Sequence, residues 1–170
     1  MKKDTALYLR EAVEKDVDIL FSWANDEDAR KNSFCTEPIK YEDHVIWFQN
    51  MMQNESTSQY ILIDQATPVG QIRLECDGAV GEISYSIAPD KRGVGYGKAI
   101  CQLLIRKVCI EKPEIKKLTA KIKIPNVASV YCFEKNGFAE SYSQYEVDIA
   151  NAVLDDSLLR ISPISRGDFC

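Results

Sequence analysis

The alternation of apolar and polar positions divides this chain into short segments with clear periods. Residues 5–9 (TALYL) read as a brief strand. Asp16 then precedes Val17, Leu20, Phe21 and Ala24, the i, i+3, i+4, i+7 spacing of an amphipathic helix. A polar stretch, NDEDARKNSFCTEP, leads into a second helix with Tyr41, Val45, Phe48 and Met52 on one face. The period then drops to two. Residues 59–65 (QYILIDQ) and 69–75 (VGQIRLE) are strand-like, and the ATP segment between them predicts a hairpin. In GEISYSI (81–87), Glu82, Ser84 and Ser86 share one face while Ile83, Tyr85 and Ile87 share the other, and Pro89 ends the strand.

A longer helix carries Ile100, Leu103, Leu104 and Val108 on one side and stops before Pro113. Leu118 to Ile124 is another strand, closed by Pro125. A short helix from Asn126 to Lys135 ends at Asn136-Gly137, a good C-terminal cap. Two further strands are expected at 138–148 and 157–162. The order β-α-α-β-β-β-α-β-α-β-β predicts an α/β sandwich, a mixed, mostly antiparallel central sheet with helices on both faces. A single domain over residues 1–170 is expected, with a core at about 5–162 and a loose tail, PISRGDFC, at 163–170. The RGD in that tail is a three-letter coincidence.

Composition narrows the function classes. A chain of 170 residues, 45% hydrophobic and 28% charged, is ordinary for one soluble globular domain. A net charge of −5 argues against nucleic acid or an anionic membrane as the main partner. No apolar run approaches the roughly 18 residues of a membrane span, and MKKDTALYLR lacks the apolar centre of a secretory signal. Cysteines at 35, 76, 101, 109, 132 and 170 show no CxxC spacing, which fits a reduced, cytoplasmic protein. With one histidine, His44, and no Cys/His cluster, no metal site is expected.

The unusual stretch is Asp90-Lys-Arg-Gly-Val-Gly-Tyr-Gly-Lys-Ala-Ile100, which packs three of the eight glycines into five residues just before a helix. Glycine lets backbone N–H groups approach a partner closely, and a helix start adds unpaired donors and partial positive charge. The pairing makes either a phosphate cradle or a ligand-free tight turn. A P-loop is excluded, since Arg92 and Ala99 stand where it needs Gly and Ser/Thr. The dinucleotide pattern GxGxxG fails as well, because Gly93, Gly95 and Gly97 run as GxGxG.

Arg92-Gly-Val-Gly95-Tyr-Gly97 does meet the pattern Arg/Gln-x-x-Gly-x-Gly/Ala, and Asn126-Val-Ala-Ser129-Val-Tyr-Cys-Phe133-Glu-Lys135-Asn-Gly137-Phe138 follows after a strand. With these paired motifs the chain resembles the GCN5-related N-acetyltransferase (GNAT) superfamily over about residues 5–148. The resemblance implies a splayed strand pair holding acetyl-CoA. It also implies an acetyl group passed to a primary amine by direct attack in a ternary complex.

Backbone N–H groups of Arg92, Gly93, Val94, Gly95, Tyr96, Gly97 and Lys98 would wrap the diphosphate, with Arg92 and Lys98 adding charge and Val94 and Tyr96 pointing away. Ser86 and Ile87 would meet the pantetheine arm, Ile87 through its backbone, and Asn126, Ser129 and Phe133 would line it from the short helix. Phe133 occupies the position of the family's usual proton-donating tyrosine, and Tyr131, about 200° round the helix, is assigned to packing. Water, Tyr142, Tyr145 or the substrate ammonium is left to supply the proton. Glu82 is either the general base or an ion-pair partner.

The dispersed residues WAND...R..SF...H..WF...GQIR are similar to acetyltransferases acting on nucleotide-linked amino sugars, of the kind that make pseudaminic acid. That likeness implies acceptor contacts from Trp23, Asn25, Arg30, His44, Trp47, Arg73 and Tyr85, although each tryptophan alone fits plain packing and each arginine a salt bridge. Protein, peptide or polyamine acceptors, and a non-catalytic acyl-CoA-binding module, stay open as alternatives, as does a homodimer.

Overall fold

The computed structural model describes residues 7–142. The chain divides into two compact units, 1–139 and 140–170, and every element below lies in the first. Five strands pair in chain order: β1 (Tyr8–Glu11), β2 (Thr57–Asp64), β3 (Thr67–Asp77), β4 (Val80–Ile87) and β5 (Lys117–Thr119). The pairings are antiparallel except β4 with β5, which is parallel.

Strand alternation sends alternate side chains to opposite faces, and each face has its own core. Tyr60, Leu62, Ile72, Leu74, Ile83 and Ile87 meet Ile100, Leu104 and Val108 of helix α4 (Tyr96–Glu111). On the other face, Ile61, Ile63 and Ala88 meet Leu20 and Trp23 of α1 (Val17–Ala24) and Phe48 and Met51 of α3 (Tyr41–Met52). The expected sheet with helices on both faces is therefore present. No described helix is long and apolar enough to cross a membrane.

Several local expectations are corrected. The first strand covers Tyr8–Glu11 rather than 5–9, because β2 pairs it through Glu11↔Tyr60 and then bonds Ala12 N–H to the Gln59 carbonyl (2.8 Å). The hairpin turn is Gln65–Ala66, not the ATP segment: both residues have positive φ (47° and 71°) and Asp64 pairs with Thr67. That is the signature of a two-residue hairpin loop. Helix α3 buries His44, Phe48 and Met51, while Tyr41 and Met52 stay exposed. Tyr41 Oη donates instead to Asp18 at 2.6 Å, which turns that side of the helix outward.

An unpredicted helix, α2 (Glu27–Asn32), lies inside the polar stretch. It buries no residue, so no apolar period announces it; Asp26 caps it by accepting the Ala29 N–H at 3.0 Å. Strand β5 is shorter than the expected Leu118–Ile124 because it leaves β4 after the Glu82↔Thr119 pair. Residues 138–142 form no strand; 143–148, the expected strand at 157–162 and the tail lie outside the described residues, as does Tyr145.

Candidate active site

At the end of β4 the chain makes a short 3₁₀ turn over Pro89–Lys91 and then passes Arg92 in extended conformation. Gly93 and Gly95 follow at φ 80° and 97°, a left-handed backbone that side chains resist. Gly95 is the N-cap of α4, and no side chain caps this helix. The first-turn N–H groups of Tyr96, Gly97 and Lys98 are therefore free of side-chain caps, at the positive end of a 16-residue helix. Such a helix start could hold an anion.

The third glycine has a different reason. A Cβ on Gly97 would lie 2.9 Å from Cys132 Sγ and 3.2 Å from Tyr85 Oη. Gly97 lets α4 pack closely against β4 and α5 (Val127–Glu134).

The side chains of the loop depart from expectation. Arg92 does not offer a free charge: its guanidinium pairs with Asp26 and with Asp28 (3.0 Å), while Nε donates to the Ile87 carbonyl at 3.3 Å. Burial opposes the Asp26 carboxylate, yet the hydrogen bonds from Arg92 and the Ala29 N–H hold its carboxyl below the usual range. Lys98 is exposed and its ammonium has no acidic partner among the described residues. Val94 is 70% exposed. Tyr96 does pack against the core and its hydroxyl donates to Asp64.

Next to the loop, β4 and β5 separate. They pair only from Val80↔Lys117 to Glu82↔Thr119. Ala88 N–H donates to the Val69 carbonyl of β3 (3.0 Å), so by alternation the backbone groups of Ile87 and Tyr85 point to the opposite, open edge. An extended, amide-bearing arm can lie against that edge. The Ile87 carbonyl already takes the Arg92 bond, which leaves its N–H as the group to offer.

Helix α5 closes the opening on one side. Asn126 caps it, its Oδ1 accepting the Ser129 N–H at 3.2 Å, and Ser129 Oγ lies 3.4 Å from Tyr85 Oη. Phe133 shares this line but is a core residue. It is 5% exposed and packed edge-on against Tyr85 and Phe138, with ring centroids 5.6 and 4.9 Å away. The expectation that Phe133 lines the cofactor arm is corrected on that ground. Tyr131 faces the other way, as expected from the helix rotation, but it is exposed and stacks with Lys135 rather than packing. Tyr85 is held by burial and by a hydrogen bond with Cys132 far above the usual phenol range, so it stays protonated. Tyr142 is exposed. Burial pushes the Cys101 thiol up to about 12, which keeps it inert.

The expected acceptor residues divide sharply. Trp23 is buried among Leu20, Phe48 and Ala88. His44 is 3% exposed, its Nε2 3.0 Å from the Val17 carbonyl, and burial lowers its pKa so that the ring is held neutral. Asn25 clasps Ile39 by two bonds, donating to its carbonyl (2.9 Å) and accepting from its N–H (2.8 Å). Arg30 donates to the Ala24, Cys35 and Glu37 carbonyls and to Ser33 Oγ. All four make these contacts within the protein itself, and Tyr85 points to the α4 side of the sheet.

Trp47 and Arg73 remain. The guanidinium sits 5.5 Å from the Trp47 ring centroid and pairs with Glu75 at 2.7 Å. Glu82 is exposed and holds Lys121 at 2.9 Å, the ion-pair alternative of the sequence reading. Sequence reasoning missed Gln59 and Gln71, which join Ser86 in a polar row across this face. For Gln71 the signal was parity, since like Arg73 it occupies the polar phase of β3; Gln59 shares its phase with the buried Ile61 and Ile63, so alternation gave no sign of it. Among the described residues no three His, Cys, Asp or Glu side chains gather where a metal ion could be held.

Residues 6–139 match the family model for the acetyltransferase (GNAT) domain. No curated protein matches the chain. Among solved structures, it is similar to a domain from Methanocaldococcus jannaschii (24% identity, TM-score 0.72, covering 84% of this chain and 94% of that one). It is also similar to spermidine N-acetyltransferase from Vibrio cholerae with CoA and spermine (18%, TM-score 0.72, 80% and 82%). A third similar structure is the aminoglycoside acetyltransferase AAC(6')-Ib with ribostamycin and coenzyme A (21%, TM-score 0.71, 80% and 84%).

Proposed function

Because the chain belongs to the acetyltransferase (GNAT) domain family, we propose that it transfers an acetyl group from acetyl-CoA to a primary amine by direct attack in a ternary complex. The reading is carried by one observation: the left-handed Gly93–Gly95 turn that opens α4 stands beside the unpaired edge of β4. The turn suits a diphosphate and the edge suits an amide-bearing arm. Acetyl-CoA supplies the activated acyl group. Placement by the protein supplies much of the rate, since oriented reactants reach effective molarities of roughly 10⁵–10⁸ M.

For the acceptor we propose an amino group on a nucleotide-linked sugar. The Trp47–Arg73 stack offers an apolar ring face beside a cation, and the exposed Ser84 on the same face of the sheet offers a neutral hydrogen-bonding group to hydroxyls. The similar aminoglycoside acetyltransferase, in complex with ribostamycin, and the spermidine acetyltransferase, in complex with spermine, frame the choice. A polycation would need open carboxylates here, whereas Glu75 and Glu82 already hold Arg73 and Lys121. An amine resembling an α-amino group, with pKa about 7.7–8.0, is also partly neutral at pH 7, which suits a site whose nearest carboxylate is paired. Glu82→Gln separates the two sources of proton removal. A flattened alkaline rise of kcat/KM assigns the base to Glu82, and an unchanged profile assigns it to water.

The deciding experiment supplies acetyl-CoA with pools of UDP-amino sugars, polyamines, aminoglycosides and peptides and follows free CoA and acetylated products by mass spectrometry. An acetylated UDP-sugar is the expected product. Turnover confined to another pool overturns the acceptor, and acetyl-CoA binding without turnover on any pool overturns the transferase reading.

A further inference from the structure

Three polar side chains cross the face of the sheet opposite α4 in a chain of hydrogen bonds. Gln59 Nε2 donates to Gln71 Oε1 at 2.6 Å, and Gln71 Nε2 donates to Ser86 Oγ at 3.1 Å. Gln71 stands directly across from Ser86 in the β3–β4 register, and Gln59 reaches it diagonally from β2. The direction of the chain is fixed at its buried end. Gln59 is 6% exposed, and its Nε2 also lies 3.4 Å from the Tyr60 carbonyl and 3.3 Å from the Ile72 carbonyl. Turning that amide over would set its oxygen against two backbone oxygens in a buried place. Gln59 must donate, so Gln71 must accept with its oxygen and point its NH₂ at Ser86. Ser86 accepts that bond, which leaves its own hydrogen to be donated elsewhere.

No described group takes that hydrogen. Ser86 is half-buried at the mouth of the β4–β5 opening, one residue before Ile87. An arm entering from the Gly93–Gly95 turn along the free edge of β4 passes Ser86 before it reaches the closed end at Glu82 and Thr119. Ser86 faces the side of the sheet that carries Arg73 and Trp47.

We propose that the Ser86 hydroxyl donates a hydrogen bond to the acyl oxygen of the bound thioester, and that Gln71 and Gln59 are positioning residues that keep it a donor. When the amine nitrogen attacks the acyl carbon, the C=O π pair moves onto oxygen, where Ser86 stabilises the charge. The pair returns as the carbon–sulfur bond breaks and CoA leaves as thiolate, while the nitrogen gives its surplus proton to Glu82 or water, the two bases that Glu82→Gln separates. Ser86 keeps its proton throughout. A preorganised donor of this kind is worth roughly 10²–10³ in rate in well-studied acyl transfer.

This inference rests on acetyl-CoA lying along β4, so binding is measured first, by calorimetry with acetyl-CoA. The acyl carbonyl is then followed by isotope-edited infrared spectroscopy of bound [1-¹³C]acetyl-CoA. In the unaltered protein the carbonyl band is expected at lower wavenumber than in free acetyl-CoA. Ser86→Ala should move it back toward the free position with little change in Kd, and Ser86→Thr should preserve the shift. Gln71→Met should undo part of the shift but change nothing further in a Ser86→Ala background, a dependence that loss of packing alone would not produce. A band at the same position in unaltered protein and Ser86→Ala overturns the Ser86 assignment alone. Failure of the unaltered protein to bind acetyl-CoA overturns the donor reading together with it.

Discussion

Three glycines in five residues do two jobs, and the two can be separated by substitution. Gly95 sits at φ 97° with nothing within 4 Å of a built Cβ, so its need is conformational. Gly97 has ordinary backbone but meets Cys132 and Tyr85, so its need is steric. Gly95→Ala should strain the left-handed turn by about 1–2 kcal/mol, and relief of that strain pulls the α4 N–H groups off the diphosphate. We expect a weaker acetyl-CoA Kd, by roughly tenfold for each 1.4 kcal/mol. Gly97→Ala should cost about 1–3 kcal/mol through overpacking and appear chiefly as a lowered Tm. Cys132→Ala should restore much of the Tm of Gly97→Ala and do nothing for Gly95→Ala. Equal rescue of both variants would mean that the glycines share one role. The sequence displayed the glycines but not this division, because Cys132 is 35 positions away and only the fold brings it to Gly97.

At the scale of elements, strong periods were legible and featureless ones were not. Strands β3 and β4 follow from alternation and β2 from a short apolar run, and α4 follows from a stripe with a stop at Pro113. Helix α2 was invisible because it buries nothing, yet Asp28 on it and its cap Asp26 tie it to the glycine loop through Arg92. His44 and Trp23 show the converse error: residue types suited to ligands, read without burial, were assigned to a site when they belong to a core. The α2 tie makes a prediction in pH. Asp26 has a folded pKa below its ordinary value, so the stability it provides is present above the unfolded pKa of about 3.9 and is lost as pH falls through the folded value. Asp26→Asn keeps a capping oxygen but loses the ion pair, at about 0.2–1 kcal/mol near pH 7. Asp26→Ala loses the cap as well, for about 1 kcal/mol more. Denaturant titrations should show the gap between unaltered protein and Asp26→Asn closing as the solution is acidified below pH ~3.9. A gap independent of pH would mean that the Arg92 pair contributes nothing.

For the molecule as a whole, charge poses a question that the fold answers. A chain of net charge −5 is proposed to bind an anionic thioester carrier. The resemblance suggested that Arg92 and Lys98 supply the attraction. Near the loop, however, Lys91 pairs with Asp90 and Arg92 pairs with Asp26 and Asp28. Counting Lys98, three cations face three carboxylates, so the neighbourhood is close to neutral. On the proposed reading the anion is held mainly by backbone N–H groups and the helix end, at contact distances shorter than the Debye length. Raising NaCl from about 0.05 to 0.5 M shortens the Debye length from roughly 14 to 4 Å and should weaken acetyl-CoA binding by no more than about threefold. Lys98→Ala removes an exposed charge with no acidic partner among the described residues and should cost about 1 kcal/mol or less, roughly fivefold in Kd, while flattening the remaining salt dependence. Calorimetric titration at the two salt concentrations measures both quantities. A loss of tenfold or more on adding salt would mean that free charge rather than the amide cradle holds the diphosphate, and Arg92 would then have to exchange its aspartates for the ligand on binding.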